Sequence, residues 1–176
     1  MKAKFALALF LLNIGFAFSQ DDEKIKRKFF PQFELAIPII GNQYEPEDPN
    51  ERKSFVAFNG ISSRVGYGLH FTTWFSLSAH SGIEFKIREK LVAAPVYANF
   101  TINPVMRDES CINLQLGYGH SFALGRGNLS GIYKRANIGI ENEGILIFLE
   151  ISEHRLEFGE VNRISSFSIG IAYRNY

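Results

Sequence analysis

The chain has 176 residues, 19 basic and 18 acidic, for a formal charge of +1. That length is one ordinary domain, and the near-neutral balance gives no electrostatic case for nucleic acid, which would need a clustered basic face. The single cysteine, Cys111, excludes an internal disulfide framework and a thiolate metal cluster.

Lys2 and Lys4 precede the apolar run FALALFLLNIGFAF, and Ala17-Phe18-Ser19 places small residues at cleavage spacing. These are the parts of a secretory signal peptide, so residues 1–19 are expected to be removed on export. A membrane-anchoring helix needs about 20 apolar residues, and Asn13 interrupts this shorter run. Taking away the two lysines leaves 17 basic against 18 acidic residues, a charge of −1. No later run approaches the length of a spanning helix, so membrane residence would have to be as strands. Residues 20–32, containing DDEKIKRKFFPQ, are expected to form a flexible polar leader.

Eight extended segments are then expected between Phe33 and the last residue, because side chains alternate at the strand period. The first covers Phe33–Ile40 and contains Pro38. In the second, Ile61–Phe71, Val65, Tyr67, Leu69 and Phe71 oppose Arg64, Gly66, Gly68 and His70. The third, FSLSAHSGIEFKI, sets Phe75, Leu77, Ala79, Ile83, Phe85 and Ile87 against Ser76, Ser78, His80, Gly82, Glu84 and Lys86. The fourth, Leu91–Asn103, opposes Val92, Val96 and Phe100 to Tyr97, Asn99 and Thr101. The fifth, Cys111–His120, opposes Ile112, Leu114, Leu116 and Tyr118 to Asn113, Gln115, Gly117 and Gly119. The sixth, Gly131–Glu141, opposes Ile132, Ala136, Ile138 and Ile140 to Tyr133, Arg135, Asn137 and Gly139. The seventh, Ile145–His154, is apolar at Ile145, Ile147, Leu149 and Ile151, and the eighth, Ser165–Arg174, at Phe167, Ile169, Ile171 and Tyr173.

Alternation does not say which face points inward. A soluble lipocalin-like lipid carrier buries the apolar face, whereas an outer-membrane barrel turns it to lipid around a polar lumen. The polar face here is rich in Gly, Ser and Asn rather than in the Lys and Glu of a solvated surface. Glycine in a strand marks crowding, and a narrow eight-stranded interior is crowded, so the glycine face is placed inside. Aromatic residues also gather near the two rims: Phe71, Trp74, Phe75, Phe100 and Tyr173 at one, and Phe85, Tyr118 and Phe167 at the other. Short connectors alternate with long ones, REK being the exception, as in transmembrane barrels. Lys134 carries a charge at lipid-facing parity; either a bulge at Lys134-Arg135 resets the phase, the favoured expectation, or the lysine lies high enough to snorkel.

With FAFSQ, RVGYGLHF, LQLGYGHSF, NIGIEN, APVYANFTIN and the terminal SIGIAYRNY, the chain resembles the small outer-membrane β-barrel proteins of Gram-negative bacteria. That family includes the OmpA transmembrane domain, OmpX and many Bacteroidetes barrels. The resemblance covers Phe33 to Tyr176. It implies an all-β, eight-stranded antiparallel up-and-down barrel behind a cleaved signal, with the 20–32 leader and both termini in the periplasm. It further implies a monomer in contact with outer-membrane lipids, including lipopolysaccharide, and inserted by the barrel-assembly machinery. In that family a terminal aromatic assists insertion; Tyr176 has the opposite parity to Tyr173.

The inward ionisable set is expected to plug the lumen: Arg64, His70, His80, Glu84, Arg135 and Glu150, with Lys86, Glu141 and His154 beside them. Buried charges must pair, for example Glu84 and Glu150 with Arg135. His70 and His80 are expected to face each other across a hairpin, and two ligands do not make a metal site. No cofactor is expected. Some barrels of this size are enzymes acting on lipid A acyl chains, and the deacylase type resembles a His-x-Ser-Asn motif that this chain lacks. The alternative catalytic set is Glu150, Ser152 and His154, which share one face of the seventh segment and supply acid, hydroxyl and base. A structural, adhesion or surface-interaction role without catalysis is the expected function. Lipid A acyl transfer or hydrolysis, and soluble lipid carriage, are the alternatives.

Overall fold

A computed structural model describes residues 29–41, 56–72, 74–107, 110–124, 130–156 and 163–175. The expected signal peptide, most of the leader and Tyr176 lie outside the described residues. The strands are β1 Phe29–Gly41, β2 Val56–Phe58, β3 Gly60–His70, β4 Phe75–Lys86, β5 Leu91–Arg107, β6 Ser110–Leu124, β7 Ser130–Asn142, β8 Ile145–Leu156 and β9 Ile164–Arg174. Neighbours pair antiparallel in the order β1-β3-β4-β5-β6-β7-β8-β9, and β9 pairs back onto β1. The result is a closed antiparallel barrel of eight strands. Closure leaves no edge unpaired.

β1 begins four residues before the expected Phe33, correcting the end of the leader: Phe29 pairs with Leu69 and Gln32 with Gly66. The physical reason lies in FFPQFE, where Phe29, Pro31 and Phe33 point outward while Phe30, Gln32 and Glu34 point in. The short β2 prolongs β3 past the wall, pairing Ile39–Gly41 of β1 one residue out of step with the β1–β3 register. Asn59 and Gly60 form that step. Asn59 donates its N–H to the Pro38 carbonyl at 2.9 Å, and its own carbonyl and side-chain oxygen accept the N–H groups of Ile87 and Arg88 at 2.9 and 3.0 Å. Gly60 has φ +137°, and a Cβ there would lie 1.8 Å from the Phe85 carbonyl oxygen, so only glycine fits.

Strands β5 and β6 run closer together than expected, to Arg107 and from Ser110, after a register shift between Ile102 and Val105. The β7–β8 turn has positive φ at both Glu143 and Gly144, 46° and 80°, the hairpin geometry that matches strand twist. It shares one end of the barrel with the short β3–β4 and β5–β6 connections and with Phe29 and Arg174; this is the turn end. The strand ends at Gly41, Val56, Leu124, Ser130, Leu156 and Ile164, with the 87–90 turn, mark the other end, called here the loop end.

Apolar side chains face out and polar ones in. Ile140 is 66 % exposed and Val65 57 %, whereas Glu34, Arg64 and Asn99 are fully buried. This is the reverse of a soluble lipocalin-like carrier, whose apolar face is enclosed. At the turn end the outer rings of Phe71, Phe75 and Phe100 pack in sequence, with centroids 5.3 and 4.5 Å apart, and Trp74 lies beside Phe75. The expected bulge at Lys134-Arg135 is not there. Lys134 sits in unbroken register between Tyr118 and Glu153 and points outward. Its place near the loop end of β7 lets the long side chain reach toward the interface with the ladder intact, and Glu153 of β8 lies directly opposite in the register.

Candidate functional site

The lumen is filled by a layered polar network. Inward parity on four different strands brings Glu34 of β1, Arg64 of β3, Arg135 of β7 and Glu150 of β8 to one height. Arg135 reaches Glu34 at 2.7 Å and Glu150 at 2.8 Å; Arg64 reaches Glu150 at 2.9 Å and Glu34 at 3.3 Å. Two guanidinium groups and two carboxylates therefore alternate in a closed ring. Arg135 also donates to the Tyr97 hydroxyl. Arg64 donates to the Tyr133 hydroxyl at 3.0 Å, and that hydroxyl donates to Glu84 at 2.9 Å.

Room for these long side chains comes from the glycine face. A Cβ on Gly117 would lie 2.4 Å from Cγ of Arg135, and one on Gly66 would lie 2.4 Å from the His80 ring. The sequence alternates small and large inward groups for this reason.

Toward the loop end, His154 bridges the Ser121 hydroxyl and the Glu84 carboxylate, each at 2.9 Å. Lys86 donates to Ser166 at 2.6 Å. Above them Leu91, Ala93, Ala123, Leu156 and Ile164 form an apolar cluster. Toward the turn end, Gln115 accepts from Asn99 and Asn137 at 2.9 and 3.1 Å and donates to Asn113 at 2.8 Å. Arg174 closes this end on Glu141 at 2.9 Å and Gln32 at 2.8 Å. Among the described residues, the buried charges are Arg64, Lys86, Arg135 and Arg174 against Glu34, Glu84, Glu141 and Glu150, four against four.

Arg64, His70, His80, Glu84, Arg135 and Glu150 all point inward, but they do not form a single cluster. Glu150 meets Arg135, whereas Glu84 goes to Tyr133 and His154 and lies 3.7 Å from Arg64. His70 and His80 do not face each other: His70 pairs with Ser76 and His80 with Gly66. The tight turn, with the Phe71 N–H on the Phe75 carbonyl at 3.1 Å, moves the register centre and separates them. His70 packs on Phe30 at 4.4 Å, and His80 stacks on Tyr97 at 5.2 Å. Among the described residues no three His, Cys, Asp or Glu side chains gather as metal ligands.

The set Glu150, Ser152 and His154 shares a face but is not joined. Glu150 is held by the two arginines, and both His154 nitrogens are engaged by Ser121 and Glu84. Ser121–His154–Glu84 does line up hydroxyl, imidazole and carboxylate, yet all three are at most 1 % exposed beneath the apolar cluster. A nucleophile there has no open approach for an ester. Glu34, Tyr97, Tyr133, Ser121 and Arg174 were absent from the expected network; inward parity was the available signal for each.

No family model and no curated protein matches the chain. Solved structures do. Neisserial surface protein A, NspA, is 12% identical, with 84% of this chain and 97% of that chain covered and a TM-score of 0.51. The outer membrane enzyme PagL is 10% identical over 81% and 98%, with a TM-score of 0.51. The fold is that of the small outer-membrane β-barrels. The Yersinia pestis outer membrane protein Ail, in a phospholipid bilayer nanodisc, is 11% identical over 82% and 99%, with a TM-score of 0.50. At these identities the likeness is one of fold.

Proposed function

We propose that this outer-membrane barrel is a non-catalytic scaffold, exported by its signal peptide, with a structural, adhesion or surface-interaction role carried by its loop end. In this reading it is a monomer of the OmpA- and OmpX-like kind, inserted by the barrel-assembly machinery, with the turn end in the periplasm. The observation that carries the reading is the charge-balanced lumen, cross-linked by the Glu34–Arg64–Glu150–Arg135 ring and covered by the Leu91 cluster. Such an interior stiffens a wall, and among the described residues its plugged lumen favours a scaffold over a channel or an enzyme.

The test joins three measurements on the purified protein. Its gel mobility should shift on heating, it should not conduct ions across planar bilayers, and lipid A incubated with it should keep its acyl chains. Steady conductance or acyl release would overturn the proposal. Loss of cell-surface contact after replacing residues 44–53, with insertion intact, is the expected positive result.

A further inference from the structure

We propose that the outer wall at the loop end binds the phosphate of a phosphorylated membrane lipid, through Lys134 of β7, Arg155 of β8 and Arg163 just before β9. This rests on the outer-membrane reading of the barrel and names a partner for one arc of its rim. The three cations gather around one acid. Glu153 lies opposite Lys134 on β7 and opposite Ser165 on β9. Its two oxygens accept Nε of Arg155 at 2.7 Å and Nε of Arg163 at 2.5 Å, and Arg163 adds a second contact through its terminal nitrogen. Glu153 is thereby spent as an anchor, its side chain 15 % exposed against 48 % for Arg155 and 61 % for Arg163.

Three cations against one anion leave a local excess of two positive charges at outward parity. Among the described residues, neither the Lys134 ammonium nor the terminal nitrogens of Arg155 have a protein partner. Arginine's planar fork matches phosphate oxygens, and such charge-assisted bonds are the strong ones. One step further along each strand the wall turns apolar, with Leu116, Ala136, Ile151 and Phe167 all exposed. Basic groups over a greasy wall are the complement of an anionic head on acyl chains. The rest of this rim is different: Ile61, Phe85, Phe122 and Leu124 are its outward residues on β3, β4 and β6. Among the described strand residues of this rim the outward Lys and Arg side chains fall on β7 and β8, with Arg163 just before β9, whereas Arg88 and Lys90 stand apart in the β4–β5 connection.

The full chain, refolded into phosphatidylcholine nanodiscs doped with lipid A bearing or lacking its phosphates, provides the test. Nanodiscs present the same lipid on both faces, so the orientation of the barrel does not enter. Native mass spectrometry of the released barrel should show preferential retention of the phosphorylated form. Each of Lys134→Ala, Arg155→Ala and Arg163→Ala should lower that preference roughly fivefold, the effect of one basic residue at a membrane surface. Arg155→Lys should keep most of it, and Arg88→Ala, at the same end on another arc, should change nothing. Lys134→Gln serves as a second variant, exposed and in regular strand, if an arginine substitution does not fold. Equal retention of both lipid forms would overturn the proposal. So would an Arg88→Ala loss matching the cluster variants, or saturation of the site by inorganic phosphate alone. A chain that fails to insert at all would contradict the outer-membrane reading instead.

Discussion

Arg135 of β7 and Glu34 of β1 meet across the lumen at 2.7 Å although 101 positions separate them in the chain. Only closure of β9 onto β1 brings them together. Their contact therefore reports on completion of the barrel rather than on any one hairpin.

Removing Arg135 leaves Glu34 and Glu150 each short of a partner in an enclosed interior. Arg135→Met is expected to destabilise the barrel by about 3–5 kcal/mol, the cost of breaking a buried pair. Urea unfolding in lipid vesicles, followed by Trp74 fluorescence, measures it. Combining Arg135→Met with Glu34→Gln should cost less than the sum of the separate changes; strict additivity would refute the ring.

The close approach of Gly66 to His80 makes a second expectation. Gly66→Ala pushes a methyl into the imidazole, and overpacking of this kind costs about 1–3 kcal/mol. His80→Ser should relieve most of it in the double variant. Equal destabilisation with and without the imidazole would show that the ring is not what the methyl meets.

Wall orientation can be read with spin labels. Labels at Leu114 and Ile169 should be accessible to lipid-soluble oxygen, and labels at Gln115 and Ser168 should be shielded from it, because the first pair is exposed and the second buried. A lysine at Leu149, well inside the apolar band, should cost roughly 2–4 kcal/mol, whereas Lys134→Leu should be close to neutral for folding.

His154→Ala removes one partner from each of Ser121 and Glu84. Lower resistance to urea is expected, together with an unchanged lipid A acyl pattern. An altered pattern would instead point to chemistry in the lumen.

Much of the wall was legible in the sequence, because a two-residue period is local and needs no partner to be seen. The faces of Val65/Arg64, Leu114/Gln115 and Ile138/Asn137 all follow from it. Partners across the lumen do not, since parity tells inside from outside but not height. Height depends on register, and register depends on turns: the β3–β4 turn alone decides that His80 lies opposite Gly66 and not His70. Glu34 is a lumen charge whose inward parity within the Phe33–Ile40 segment is readable, while its two arginine partners on β3 and β7 are not. The bulge expected at Lys134 is absent for a different reason: near the end of a strand a long cationic side chain can reach the interface without breaking the ladder.

Asn59 fastens the ends of β1 and β4 to the β2–β3 strand through backbone and side chain together. Whatever chain lies between Gly41 and Val56 thus springs from two strands already locked to their neighbours. Selection can rewrite those fourteen positions, 42–55, without renegotiating the stability of the wall beneath. A foreign peptide inserted there should inherit a rigid pedestal.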